Sequence, residues 1–475
     1  MKINSVLLEK SDLLYSEVSS SEIFTGTFRL DSQYYTLFKN KFANLSFDNY
    51  QNLEDCCVEI YEVPPFKHIY VKKGVPFYTS SDLFNNEFIP SHFLTEEMPN
   101  IYRYKITKSQ ILMARSGNVE SGILGKLIIV GNILNRSTTS DHVLRFTVNS
   151  DVISIGYLAT VLMSEFCKGQ IIKNAAGSVI PAIRPDSLRN LQIPRLSILL
   201  ENSIGKLAIN AVEKREEAIF LLNKARSLVL QHNHLPLLGD TELETLDPDK
   251  ETDIHLVSNN EFTQDYRLDA HFYNPMAKKA INNIEKFSNT FEILQNLTNS
   301  IFMCDRFSRN YVDKEYGHPF LSGKNIIQIR PDLKYISLSE TSNIENLKVK
   351  KGWILLTRSG TLGRVGFIWN NYEDFTATED IVRIVSNDNV DSGYLYAFLS
   401  SEYGYHQILR YKFGAVIDHL TPNDIGFVLV PICRNQKEIG DLVRQAYDLR
   451  AEAIRLEDEA REILTKALNG RESVL

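Results

Sequence analysis

Among 475 residues there are five cysteines, Cys56, Cys57, Cys167, Cys304 and Cys433, and none forms a CxxC pair. An odd, scattered set of thiols indicates neither a disulfide framework nor a zinc knuckle, so reduced structural thiols are expected. No apolar run approaches the roughly 18–20 residues of a membrane span. The opening segment MKINSVLLEKSDLLYSEVSS is broken by Glu9, Lys10 and Asp12 and has no continuous secretion-signal core. A cytoplasmic chain with no membrane partner is expected. Catalytic motifs are equally scarce. GILGKL, Gly122 to Leu127, has neither the spacing nor the hydroxyl residue of a phosphate loop. VPPF, Val63 to Phe66, puts valine where amine methylation needs a hydrogen-bond acceptor. There is no glycine-rich methyl-donor loop, HExxH or GxSxG, and DPDKE lies in an acidic stretch without a nuclease context. The expectation is a chain without catalysis, metal or cofactor of its own.

What is present is size and repetition. A chain of 475 residues exceeds the ~250–300 at which single cores stop growing, so two or more domains are expected. FRLDSQYY, Phe28 to Tyr35, matches YRLDAHFY, Tyr266 to Tyr273, at an offset of 238. Gly156 to Pro194 aligns without a gap with Gly393 to Pro431, offset 237, and the segment from Ile204 matches that from Ile439, offset 235. Arg-Ser-Gly recurs in apolar surroundings at Arg115-Ser116-Gly117 and Arg358-Ser359-Gly360. The near-constant offset identifies a tandem duplication.

Each half reads as a mixed α/β domain followed by a long helix, an α+β class overall. The expected boundaries are a first domain at 1–200, a central helix at 201–235, an acidic connector at 236–262, a second domain at 263–435 and a C-terminal helix at 436–470. In the C-terminal helix Ile439, Leu442, Ala446, Leu449, Ala453, Leu456, Ala460 and Ile463 keep a 3-4 spacing. Its counterpart carries Ile204, Leu207, Ala211, Ala218, Leu221, Ala225 and Leu228, with Lys214 as the polar intruder. The two are expected to pair as an antiparallel coiled coil about 27 residues, or roughly 40 Å, long. Two independent amphipathic helices are the alternative. Gly393 to Tyr411 reads as one helix, and Gly414 to Ile432 as strand, turn and strand.

The net charge of −7 is concentrated: Asp240 to Asp265 holds nine acids against Lys250 alone. Elsewhere cations cluster. Ile101 to Arg136 carries Arg103, Lys105, Lys108, Arg115, Lys126 and Arg136 against Glu120, and Lys348 to Arg364 carries Lys348, Lys350, Lys351, Arg358 and Arg364 with no acid. Each sums to +5 and is interleaved with Tyr102, Tyr104 or Trp353. Such a surface suits phosphates, which supply most sequence-independent affinity; two lysine-flanked solvated turns are the alternative. Identical readers in both halves would prefer related sequences, so a phosphate or scaffold role fits Arg115 and Arg358. Ser116, Gly117, Ser359 and Gly360 shape the turns. Base readers are expected where the halves differ most, within 36–100 and 276–346. Arg29-Asp31 and Arg267-Asp269 read as structural pairs.

With RLDSQYY and RLDAHFY near the starts, LLTRSGTLGRVGFI in the middle and IPAIRPDSLRNLQIP before the helix, the chain resembles the specificity subunit of type I restriction-modification systems over nearly its whole length. The resemblance implies a non-catalytic subunit whose two domains each read half of a bipartite, asymmetric double-stranded DNA target. It implies helices that set the spacing and dock two methyltransferase subunits, with restriction-translocase subunits joining them. S-adenosylmethionine, ATP and magnesium would then belong to the partners. The residues alone also leave room for a protein-binding adaptor or a self-contained DNA-modifying enzyme.

Overall fold

The repeated strand-turn sequences build the same sheets twice. A computed structural model describes residues 49–117, 122–176, 181–239, 257, 267, 269–341, 343–414 and 416–470. Arg29-Asp31 and most of the acidic connector lie outside them. The chain divides into two compact units. Among the described residues, unit 1 holds those within 49–83, 88–212 and 455–470, and unit 2 holds those within Glu213–Ile454 together with the short segment Phe84–Glu87.

In unit 1 an antiparallel sheet runs Cys57–Glu62, Val143–Val148, Gln110–Ala114, Leu127–Ile129. A smaller sheet runs Tyr70–Val71, His92–Leu94, Val75–Tyr78, Thr138–Thr139, its last pair parallel. Unit 2 repeats this order with Thr298–Phe302, Ile381–Ser386, Ile354–Thr357, Val365–Phe367, and with Tyr311–Val312, Lys334–Ser337, Gly317–Leu321, Thr376–Ala377. Even the irregularity in the first strand recurs, at Cys57/Glu59 and Thr298/Ser300. The strands beside the turns, QILMA and ILLT, are buried throughout, which is why they read as continuous apolar runs instead of alternating ones.

Gly393 to Tyr411 forms two helices instead of the expected one, Ser392–Leu399 and Glu402–Arg410. Ser401 makes the break by accepting from Gly404 N as the second helix's N-cap. Similarly, the described residues of 414–432 contain no first strand: Phe413 bridges His419, and the expected turn is a helical one, Pro422–Ile425.

Each unit rests on its long helix by a glycine pair. A Cβ on Gly156 would lie 2.1 Å from the backbone oxygen of Gly205, and one on Gly393 would lie 2.7 Å from the Cα of Gly440. Only glycine allows backbones this close. The next residue in each helix is a buried tyrosine whose hydroxyl donates to a proline carbonyl, Tyr157 to Pro194 at 2.7 Å and Tyr394 to Pro431 at 2.6 Å.

The long helices run Ile198–His232 and Gln436–Leu468, 35 and 33 residues, or about 50 Å each. Each extends at both ends past the repeat-bearing stretch of about 27 residues. In unit 1 Ile204 and Ala208 share a core with Ala460 and Leu464. In unit 2 Ala218, Leu222, Ala225 and Val229 share one with Ile439, Val443, Ala446 and Tyr447. The helices therefore pair antiparallel. The buried seam differs from the expected one at alternate positions. Ile204, Ala211, Ala218, Ala225, Ile439, Ala446, Ala453 and Ala460 are in it, and Leu221 and Leu456 are buried beside it. Leu207, Leu228, Leu442, Leu449 and Ile463 only flank the cores. The deep positions lie one residue later, at Ala208, Leu222, Val229, Val443 and Leu464. Lys214 falls outside the seam, where it pairs with Glu217 at 3.2 Å.

Candidate nucleic-acid interface

The two Arg-Ser-Gly turns end equivalent strands, and each is fastened by the same kinds of contact. In unit 1 Arg115 pairs with Glu62 at 2.9 Å and donates to the Asp141 carbonyl at 3.3 Å, while Ser116 Oγ lies 3.1 Å from His142 Nδ1. In unit 2 Arg358 donates to the Leu420 carbonyl at 3.1 Å and pairs with Asp380 at 3.4 Å; Ser359 Oγ donates to the same carboxylate. The backbone of each turn also bridges a later loop, Ser116 to Ala182 and Ser359 to His419. Gly117 and Gly360 have φ of +149° and +68°. These arginines bind the chain's own carboxylates and carbonyls, which is a scaffold geometry.

The strands separate what the sequence placed side by side. Gln110–Ala114 spans roughly 16 Å, so Arg103, Lys105 and Lys108 lie at one end and Arg115 at the other. Arg103 and Lys108 are exposed; Arg103 Nε donates to Tyr102 Oη at 3.3 Å, and Lys108 Nζ donates to Asn132 Oδ1. Lys126 is half-buried beyond the turn. In unit 2 Lys348 pairs with Glu345 at 2.6 Å, an acid just upstream of the basic run. Lys350 is exposed, Lys351 donates to Asn370 at 2.6 Å and lies over the Trp369 ring, and Arg364 lies over the Tyr405 ring. Glu120 is outside the described residues.

At the lysine end of each strand sits a one-turn helix, Ile101–Tyr104 in unit 1 and Ile344–Leu347 in unit 2. Both start from an asparagine in the left-handed region, Asn100 at φ 59° and Asn343 at φ 53°, and both are followed by an extended lysine, Lys105 or Lys348. Those lysines bridge Thr138 and Thr376 respectively.

Behind each helix lies an arginine that the sequence reading missed. Arg145 and Arg383 are fully buried in the central strands VLRFTV and IVRIVS. Arg145 donates to the Tyr104 carbonyl at 2.8 Å and to Thr139 Oγ1 at 3.0 Å. Arg383 donates to the Ala377 carbonyl at 2.8 Å and the Leu347 carbonyl at 3.4 Å. Burial lowers the pKa of both guanidiniums. Their partners are mostly carbonyls at chain turns, so each arginine holds the last residue of its one-turn helix to the sheet. The signal was available: an arginine inside an apolar strand, repeated at an offset of 238.

Unit 2 also opens a cleft of about 420 Å³ beside its one-turn helix. Phe302 and Trp353, in edge contact at 5.7 Å, form one wall, and Arg306, Asn346, Lys348 and Lys350 supply polar groups. In unit 1 Phe66 stacks on Tyr104 at 4.2 Å beside the corresponding helix. Elsewhere Arg267 pairs with Asp269 at 2.8 Å, and Asp269 caps the Phe272 amide, a structural pair.

Among the described residues no cluster of three or more His, Cys, Asp or Glu side chains could hold a metal, and no helix is long and apolar enough to cross a membrane.

No protein-family model and no curated protein matches the chain. Among solved structures it is similar to a type I restriction-modification system S subunit from M. genitalium, at 13% identity over 90% of this chain and 95% of that one, with a TM-score of 0.34. It is similar to an HsdS subunit from Thermoanaerobacter tengcongensis at 14% identity, covering 89% and 96%, TM-score 0.27. A third similar chain comes from work on complex assembly and conformational transition of the type I R-M system, at 14% identity, 88% and 97% coverage and TM-score 0.28.

Proposed function

We propose that this chain is the non-catalytic specificity subunit of a type I restriction-modification system. Each domain reads one half of a bipartite, asymmetric DNA duplex. The paired helices fix the spacing and dock two methyltransferase subunits, to which restriction-translocase subunits add. The observation that carries this reading is the frame built twice: equal strands, turns and lysines, with different side chains at equivalent exposed positions. Equal parts suit the phosphate backbone, which is the same everywhere; unequal parts suit base edges, which are not. Helices of about 50 Å are long enough to bridge half-sites one DNA turn, ~34–36 Å, apart. The methyl donor S-adenosylmethionine, and ATP with magnesium, are assigned to the partners. A cytoplasmic location goes with this role.

The test is selection from a randomised duplex library by the purified chain, with and without its neighbouring methyltransferase subunit, at two salt concentrations. The expected result is two short enriched blocks at a fixed gap, strengthened by the partner, with binding weakened by salt as phosphate contacts require. No enriched sequence with the partner present would overturn the proposal and leave a protein-binding adaptor as the better reading.

A further inference from the structure

We propose that the one-turn helices carry a base-reading side chain in each domain: Arg103 in the first and Asn346 in the second. The inference rests on the DNA-specificity reading and assigns residues within it. The two helices are one structural position: each has an asparagine start in the left-handed region, an extended lysine after it, and a buried arginine holding its last carbonyl. Counting from Asn100 and Asn343, Arg103 corresponds to Asn346, and both are exposed. A rigid backbone with a variable tip is what discrimination needs, because a reader must be held to within a fraction of an ångström by its support.

The chemistry at that tip differs between the halves in the way that base edges differ. A guanidinium makes two parallel hydrogen bonds to guanine O6 and N7, and a carboxamide makes two to adenine N6 and N7. The adjoining cation is the same in both domains, Lys105 and Lys348. Charge favours a polyanion at the first helix: from Ile101 to Gln110 there are three cations, Arg103, Lys105 and Lys108, and no acid. At the second, Glu345 is occupied by Lys348, leaving Lys350 and Lys351 exposed nearby. The Arg-Ser-Gly turns cannot serve instead, since they are identical and their arginines are engaged by Glu62 and Asp380. Arg103, grouped with the phosphate contacts by sequence, is reassigned here to the bases.

The experiment uses the complex of the full chain with its methyltransferase subunit, on the duplex selected by the wild type. Binding is measured for every single-base substitution with Arg103→Ala, Asn346→Ala and, as a phosphate control, Lys105→Ala, after confirming unchanged melting temperatures. Arg103→Ala is expected to lose discrimination at one base pair of one block by roughly 5- to 150-fold and leave the other block untouched. Asn346→Ala is expected to do the converse. Lys105→Ala is expected to weaken all sequences alike with a shallower salt dependence. If Arg103→Ala and Asn346→Ala behave like Lys105→Ala, or retain the wild-type preference at every position, the assignment is overturned while the specificity role stands. If the wild type selects no sequence, the role itself fails.

Discussion

Glu87 is nearly buried between two arginines of the long helices, 2.7 Å from Arg226 and 3.4 Å from Arg450, with Tyr396 Oη donating to it at 3.4 Å. All belong to unit 2, into which residues 84–87 are tied by the amide of Asn86 to the Ile327 carbonyl and that of Ile329 to the Phe84 carbonyl. Burial opposes ionisation of Glu87, but the guanidiniums, Arg226 foremost, outweigh it and hold the carboxyl below its usual range. Glu87→Gln keeps the volume and removes the charge, leaving two guanidiniums with side-chain exposures of 17% and 10% facing each other. Removing one partner of a buried ionic set costs about 3–5 kcal/mol. For a unit of about 250 residues each kcal/mol lowers the melting temperature by roughly 2–4 °C, so a loss of about 6–20 °C is expected. Selectively excited tryptophan fluorescence reads this unit alone, because the only two tryptophans, Trp353 and Trp369, both lie in it. The pH dependence has a definite sign. A carboxylate depressed by folding stabilises fully above its unfolded pKa, near ~4.3, and loses that contribution as pH falls through the lower folded value. The gap between wild type and Glu87→Gln should therefore be full at pH 6–8 and shrink below about pH 4. A fluorescence melt within 1–2 °C of wild type at neutral pH, or a gap unchanged at pH 3, would refute the reasoning.

The glycine contacts make a matched pair of tests. Gly393→Ala should lower the tryptophan-fluorescence transition by a few degrees, since overpacking costs about 1–3 kcal/mol, and Gly156→Ala should lower the part of the far-ultraviolet dichroism melt that this fluorescence does not follow. Wild-type melting in both would mean that the backbones separate at little cost. The thiols should split into two classes toward a maleimide at pH 8. Burial pushes Cys56 up to about 11, and Cys57 and Cys167 up to about 12, so these three should label only on unfolding, well after the half-buried Cys304 and Cys433. Five equal rates in the native protein would contradict the burial.

The duplication, the strand before each Arg-Ser-Gly turn and the two long helices were legible in the sequence, because each is carried by residues adjacent in the chain or by a fixed repeat distance. The seam shows where that information ends. Small residues every seventh position, Ala211, Ala218, Ala225 and Ala446, Ala453, Ala460, belong equally to a 3-4 and a 4-3 reading. The leucines make the first look better. The partner helix, the sheets and the directions of the side chains decided for the second, burying Ala208, Leu222, Val229, Val443 and Leu464 instead of Leu207, Leu228, Leu442, Leu449 and Ile463. Charge was legible only as a local sum. That Arg115 faces Glu62, that Arg358 faces Asp380 and that Glu87 faces Arg226 and Arg450 could not be read from neighbours in sequence, since each partner comes from a distant element. The sequence by itself determined how many frames there are and what each is made of. The tertiary structure alone decided which cations are committed inside the frame and which remain at its surface, because an ion pair depends on separation in space.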